Sequence, residues 1–262
     1  MSLFAFAPSR GPRWPLALQA AIGIAAPIAV STVLGQAPLG YIAASGAFTV
    51  LYAGSAPVVD RARVLPIIAV SLLLSAALGI LVAGNTLVVS IGVVVVATVS
   101  AALAFGFRLG PPGPLFFVLV YGLSAHVVAS GTIDPFVYLA ALTGGCLFSY
   151  LVALAPLALP RIRRIRARPM RELLPGPAWN ADSRMLLLRV VIVAIVGVLL
   201  GLVIDPDRTY WIVGSAVAVI GVAAARRAAF QRGLHRMLGT VVGAGLYILL
   251  ALLHPAGIWL AL

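Results

Sequence analysis

The sequence predicts an all-α, polytopic membrane protein: a bundle of about nine transmembrane helices and a partial tenth, with an internal repeat. Of its 262 residues, 63% are hydrophobic and 9% are charged, and the mean hydropathy is +1.15. Soluble domains carry roughly 45–50% apolar and about 25% charged residues, so a water-soluble globule is excluded. The long unbroken apolar runs also exclude an outer-membrane barrel, whose strands alternate apolar and polar residues.

Each predicted span is a mostly apolar stretch near the length of about 20 residues that a membrane helix requires. Proline and glycine mark most of the junctions. The first span follows Arg10 and Arg13, but it is too long for the apolar region of a signal peptide, so we expect it to be retained. The nine predicted spans are residues 14–35, 39–57, 64–84, 86–107, 112–130, 134–159, 185–204, 209–225 and 234–253.

The arginines predict the orientation of the chain. All 18 basic residues are arginines and the net charge is +12. Apart from Arg189 and Arg208, the arginines lie before the first span and in or beside every second junction. The alternate junctions contain one arginine, Arg208. The positive-inside rule therefore predicts a cytoplasmic N-terminus. The lysine-free, arginine-rich composition is typical of a high-GC bacterial genome. Because the arginines lie in short loops between apolar spans, lipid headgroups are the predicted partners and nucleic acid is not.

The chain shows an internal repeat with an offset of about 170 residues. Tyr41 follows the first span as Tyr210 and Trp211 follow the seventh. The basic stretch 60–63 leads into the third span as the stretch 232–236 leads into the ninth. The repeat predicts that equivalent helices occur in the two halves.

These patterns divide the chain into three parts. We predict a first membrane domain of six helices over residues 1–159, an Arg/Pro-rich cytoplasmic linker over 160–183 and a second membrane domain over 184–262. The second domain stops a few residues into its expected fourth helix, which indicates a truncated chain or a gene fragment. The alternative is a short interfacial tail anchored by Trp259.

The sequence gives no sign of catalysis, a cofactor or a metal site. Its six acidic residues are scattered, and its three histidines lie in different junctions or spans. Cys146 is the only cysteine, which excludes an intramolecular disulfide and a CxxC-type metal site. No enzyme motif with spaced His, Glu, Ser or Gly residues is present, so we do not expect an enzyme.

The most informative stretch runs from an aromatic pair to a glycine-rich helix. Two arginines four residues apart share one helix face, where guanidinium groups can bind a carboxylate. Two glycines spaced as GxxxG allow a neighbouring helix to approach closely. The residues of this pattern are Tyr210, Trp211, Arg232, Arg236, Gly239, Thr240 and Gly243.

This pattern resembles the fusaric acid resistance family of bacterial inner-membrane transporters, which are associated with efflux of aromatic carboxylic acids. The aluminium-activated malate transporters of plants are more distantly similar. The close resemblance covers residues 184–255, and it implies that the residues of the pattern bind or gate the substrate. Their counterparts in the first half would be Tyr41, Asp60, Arg61 and Arg63.

The resemblance implies export of small organic anions, with aromatic carboxylic acids as the expected class. Arginines at the cytoplasmic end would attract the carboxylate, and aromatic rings near the outer face would contact the substrate ring. A passive anion channel and a non-transporting scaffold or fragment are the alternatives. The expected partners are the lipid bilayer, the organic anion, and a second copy of the chain or other efflux subunits.

Structural roles are the competing interpretation of the same residues. Tyr210 and Trp211 also fit an interfacial aromatic belt, and the arginines also fit plain topology determinants. The glycine pairs are typical of helix packing. His126 fits a hydrogen-bonded interior group better than a proton carrier.

Overall fold

Apolar runs in this chain form helices whose ends are set by capping side chains, proline and glycine. A computed structural model describes residues 14–220 and 226–252. The Asn85 side chain accepts a hydrogen bond from the backbone of Val88 and so begins one helix, and the Asp134 side chain caps another in the same way. Gly35 has a positive φ of 71°, which lets the chain turn sharply after the first helix.

The described residues are helical in the order that the hydropathy pattern predicts. Two short helices, Pro160–Arg163 and Met170–Leu173, lie in the predicted linker, and Gly46–Leu51 continues the second helix of the chain as a 3-10 helix. The helices are α1 (Trp14–Val33), α2 (Ala37–Ser45), α3 (Val58–Leu81), α4 (Thr86–Gly106), α5 (Leu115–Ala129), α6 (Pro135–Leu154), α7 (Pro160–Arg163), α8 (Met170–Leu173), α9 (Ala181–Ile204), α10 (Thr209–Ile220) and α11 (Arg226–Leu252).

The structure confirms a polytopic helical bundle. Among the described residues, six helices have the length and composition to cross a bilayer: α1, α3, α4, α6, α9 and the part of α11 from Gly233. The predicted spans 39–57 and 112–130 are shorter apolar helices of 10–17 residues. The predicted end of the eighth span, 221–225, lies outside the described residues, as do Arg10, Arg13 and the apolar tail with Trp259.

Local chemistry explains why these two predicted spans are short. In α2 the chain tightens into a 3-10 helix at Gly46, which packs directly against the backbone of Gly145 and Cys146. The carbonyl of Val50 then accepts a hydrogen bond from Arg61 rather than continuing a helix. Helix α5 begins only after a proline-rich stretch, because proline lacks the amide donor that a helix interior needs.

Helix α5 is the centre of the packing. Helices α3, α4 and α10 pack against it, and α6 packs against α2 and α3. The fully buried side chains include Tyr52, Tyr121 and Tyr138. The two predicted membrane domains join where α9 packs on α4 and α10 packs on α5.

The arginine-containing junctions before α3, after α4 and before α9 meet at one end of the bundle. The first turn of α3 contacts the linker, and the backbone N–H of Ala178 in the linker bonds the carbonyl of Gly106 where α4 ends. We call this the basic end. The turns after α3, α5 and α9 line one cavity at the other end, called the opposite end. The helices therefore alternate in direction, as the arginine pattern predicts.

Helix α11 packs against α10 and leaves most of its length exposed. Within the described chain, a Cβ added at Gly239 or Gly243 would meet no atom within 4 Å. Gly197 and Gly201 of α9 instead pack closely on Val213 and Thr209 of α10. The packing role predicted from the glycine pairs is therefore realised in α9, whereas the Gly239–Gly243 pair of α11 faces open space among the described residues.

Two neighbouring glycines of α6 provide a matched test of this packing. A Cβ at Gly145 would overlap the backbone carbonyl of Ala43 in α2, whereas a Cβ at Gly144 meets nothing within 4 Å. We expect Gly145→Ala to lower the free energy of unfolding by about 1–3 kcal/mol, because the two backbones must separate. Gly144→Ala should leave it unchanged or raise it by up to about 1 kcal/mol, because alanine favours helix. Thermal unfolding of the purified variants in detergent measures both, and equal losses would contradict the packing.

Candidate functional site

The first turn of α3 carries two adjacent charged residues that are both buried. Asp60 is 1% exposed and Arg61 is 4% exposed, although they lie at the basic end of a membrane-spanning helix. A buried charge is costly unless a partner compensates it. The partners of these two residues therefore define the chemistry of this end.

The linker supplies both an opposite charge and hydrogen-bond donors to the Asp60 carboxylate. One carboxylate oxygen accepts a hydrogen bond from the backbone N–H of Arg168 at 2.8 Å, and the other accepts one from its Nε at 2.9 Å. Arg63 donates to the backbone carbonyl of Arg168 at 2.9 Å. The linker is thus clamped to the start of α3 by both its main chain and its side chain.

Arg61 has hydrogen-bond partners but no opposite charge. Its guanidinium donates to Oε1 of Gln19 in α1 at 2.8 Å and to the carbonyl of Val50 at 2.9 Å. Among the described residues, no carboxylate lies within ion-pairing distance, and the Nε has no hydrogen-bond partner. A guanidinium has five N–H donors, so this buried cation has donors in reserve for an anion.

The opposite end contains a cavity of about 380 Å³. It is formed where the turns after α3, α5 and α9 meet. Thr86 and Ser130, which carry hydroxyl groups, and the exposed Asp207 line it. His126 of α5 contributes its half-buried ring. The lining residues are Gly84, Thr86, Val89, Ala125, His126, Ala129, Ser130, Pro206 and Asp207.

Aromatic rings adjoin this cavity. The ring of Tyr210 lies 6.3 Å from that of His126 and 5.9 Å from that of Trp211, between ring centroids. Tyr210 is buried because it packs directly on Gly122 of α5, where a Cβ would overlap its ring. Trp211 is 50% exposed. Tyr210 is therefore an interior residue of the bundle rather than part of an interfacial belt.

The structure separates the residues that the sequence grouped by repeat. Tyr41 is 54% exposed, whereas Tyr210 is buried, so the two aromatics have different environments. Arg236 and Thr240 lie on the exposed helix α11, where the Thr240 hydroxyl bonds the carbonyl of Arg236 at 2.8 Å. Arg232, Gly239 and Gly243 lie on the same helix. None of the described contacts joins this set to the buried pair on α3.

Three contributors to the site were not predicted. Gln19 and Val50 hold Arg61, and Arg168 closes on Asp60. Gln19 offered a weak signal, because it is the one side-chain amide within its predicted apolar span. Arg168 offered none, since it is one of several similar linker arginines.

Comparison with known proteins identifies the second part of the chain. Residues 173–262 match the family model described as fusaric acid resistance protein-like. This match confirms the resemblance predicted from the sequence, and the long apolar helices support a multi-pass membrane protein. The similarity to aluminium-activated malate transporters stays a prediction. No curated protein matches the chain, and no solved structure matches it.

The clamp on the linker can be tested with a substitution that preserves shape. In Asp60→Asn one carboxylate oxygen becomes an NH₂ group, which cannot accept a hydrogen bond. One of the two hydrogen bonds from Arg168 is then lost, together with the negative charge. Charge-assisted hydrogen bonds contribute about 1.5–3 kcal/mol, so we expect trypsin to cleave the linker about tenfold faster or more. Asp182→Asn, an exposed carboxylate at the start of α9, is the control. Mass spectrometry of timed digests gives the rates, and equal rates for Asp60→Asn and wild type would rule out the clamp.

Proposed function

We propose that this membrane transporter exports small organic anions, with aromatic carboxylic acids as the substrate class. The match of residues 173–262 to the fusaric acid resistance protein-like family supports transport. The observation that favours an anion is Arg61, a buried guanidinium without a carboxylate partner among the described residues. We further propose that the protein lies in the bacterial inner membrane with its basic end in the cytoplasm.

A carboxylate is the ligand that best matches the unused capacity of Arg61. Gln19 and Val50 hold the guanidinium in place with neutral oxygens, which orient it without cancelling its charge. An incoming carboxylate would supply both the missing charge and acceptors for the unused N–H groups. Its binding would be strengthened by the low dielectric around a side chain that is 4% exposed. The fork of donors also explains why arginine suits this position better than lysine.

The distribution of charge supports capture at the basic end. The linker contributes exposed arginines there, including Arg164, Arg166 and Arg171. A cluster of like charges beside a low-dielectric region raises the local concentration of the opposite ion. Organic anions in the cytoplasm would therefore be drawn towards the start of α3.

The opposite end supports release of an aromatic substrate. Its cavity of about 380 Å³ is large enough for a single-ring acid, and the rings of His126 and Tyr210 adjoin it. Aromatic rings interact favourably in offset or edge-to-face arrangements. Asp207 in the same cavity would repel a carboxylate and so favour its departure. Weak binding at the exit and stronger binding at the entry would fit a directional exporter.

A passive anion channel is the second candidate, and the positions of the acidic residues favour it. Asp60, Asp134, Asp182 and Asp205 lie at helix ends, and Glu172 and Asp207 lie in connections or short helices. Proton-driven pumps commonly carry an ionisable group deep within the membrane. The acidic residues of this chain offer no such carrier, so a driven export would need a coupling partner.

Efflux from whole cells tests the proposal. The chain is expressed in a bacterial host that lacks its own exporters, the cells are loaded with labelled benzoate or benzamide, and the outward rates are compared. We expect faster efflux of benzoate and no change for neutral benzamide, since only the acid carries charge. Efflux that stops with an uncoupler supports a driven exporter, whereas efflux that follows the membrane potential supports the channel. If the correctly inserted protein does not accelerate benzoate efflux, both the exporter and the channel are contradicted.

Arg61 should control this flux through its charge and its shape. We expect Arg61→Gln to reduce the initial benzoate efflux rate about tenfold or more, because a buried charge partner is worth at least about 2 kcal/mol. Arg61→Lys keeps the charge but loses the fork of donors, so its rate should be intermediate. Arg184→Gln removes an exposed arginine at the same end and serves as the control. Rates are compared at equal protein level and equal thermal stability, and wild-type efflux by Arg61→Gln would reject its role.

A further inference from the structure

A long apolar groove separates α3 from α4. These consecutive antiparallel helices both pack on α5 and barely touch each other, so a furrow of about 430 Å³ opens between them with Phe117 in its wall. Many of its side chains are large hydrophobic residues that remain exposed. The lining is Val64, Ile67, Ile68, Ser71, Leu74, Ser75, Leu78, Val95, Val96, Val99, Ser100, Leu103, Phe107, Leu109, Phe117 and Leu174.

The hydroxyl groups that line the groove have no free O–H donor to offer an occupant. The hydroxyls of Ser71, Ser75 and Ser100 each donate to a carbonyl of their own helix. On α3 the lining runs from Val64 to Leu78, which is about 21 Å at 1.5 Å per residue. Half of a bilayer's hydrocarbon core is about 15 Å, so the groove spans the leaflet at the basic end and reaches past the midplane.

The dimensions of the groove select a narrow occupant. A volume of about 430 Å³ over about 21 Å gives a mean cross-section of about 20 Å². A single hydrocarbon chain, whose carbons contact their neighbours at about 3.5–4.0 Å, fits the space.

The linker forms a bridge across the groove at the basic end. It is attached to α3 through Asp60 and Arg168, and to α4 through the hydrogen bond from Ala178 to Gly106. Between these attachments Leu174 lines the end of the groove. The apolar groove thus meets the polar linker where the headgroup region of a membrane would lie.

Positive charge surrounds this meeting point. Arg63 precedes the lining residue Val64, and Arg108 lies between two lining residues, Phe107 and Leu109. Both arginines are exposed. Of the nearby carboxylates, Asp60 is already paired with Arg168, which leaves Glu172 of α8 against several linker arginines. The local charge therefore complements an anionic headgroup.

We infer that this groove is a binding site for an anionic phospholipid of the leaflet at the basic end. One acyl chain lies between α3 and α4, and the phosphate lies beside Arg63 and Arg108. The apolar lining, the narrow cross-section and the positive mouth each favour this occupant. Neither Arg61 nor the cavity at the opposite end contributes to the lining of this groove, and the inference does not depend on which anion is transported.

Photocrosslinking in nanodiscs tests the acyl-chain site. The full chain is placed in phosphatidylcholine that contains a trace of phosphatidylglycerol with a diazirine on one acyl chain, and labelled peptides are mapped after irradiation. Val95→Phe with Val99→Phe fills the groove at positions that are 53% and 52% exposed. Val70→Phe with Val88→Phe is the matched control, at positions that are 55% and 43% exposed and lie outside the lining. Thermal unfolding of both double variants shows that each is folded.

We expect label in α3, α4 and α5 of the wild type and of the control. The labelling of the filled groove should fall by at least about fivefold, because the CH₂ groups of the acyl chain can no longer be buried there. Arg108→Gln should raise the concentration of unlabelled phosphatidylglycerol needed to displace the probe by about fivefold, whereas Arg208→Gln at the opposite end should not. Equal labelling of the filled groove and the wild type would overturn the site. Competition by phosphatidylcholine as strong as by phosphatidylglycerol would overturn the anionic headgroup.

Discussion

The organisation of the basic end depends on the burial of two opposite charges in the first turn of α3. Asp60 and Arg61 are neighbours in sequence, yet each is satisfied by a different part of the chain. Arg61 holds α1 and the end of the 3-10 helix through Gln19 and Val50, and Asp60 holds the linker through Arg168. A charge buried in a membrane protein needs such partners, because neither water nor lipid can stabilise it there. One helical turn therefore joins three segments that are distant in sequence.

The two charged groups differ in how many of their hydrogen-bonding atoms have partners. The Asp60 carboxylate has both oxygens occupied and a cation beside it, which makes it a structural group. The Arg61 guanidinium has only neutral partners and an unused Nε among the described residues. A transported carboxylate would give Arg61 the opposite charge that Arg168 gives Asp60. In the proposed exporter, this asymmetry would connect the architecture of the basic end to selection of an anion.

Much of the fold could be predicted because hydropathy and arginine position act locally. The long helices, their order and the meeting of the basic junctions all follow from those two patterns. The short α2 could not be predicted, because its shape depends on Gly46 meeting the backbone of Gly145 and on Val50 turning towards Arg61. The burial of Tyr210 depends in the same way on Gly122, more than eighty residues earlier in the chain. Contacts of this kind are set by tertiary packing, which one-dimensional periodicity does not encode.

Export by this route requires the basic end to face the cytoplasm, and cysteine accessibility measures that directly. The only native cysteine, Cys146, is buried, so Cys146→Ala gives a clean background. In it, Ser130→Cys places an exposed thiol at the opposite end, and Gly176→Cys places one in the linker without removing an arginine. A membrane-impermeant maleimide should label Ser130→Cys in intact bacteria and Gly176→Cys only after the membrane is opened. The reverse pattern would contradict capture of cytoplasmic anions at Arg61.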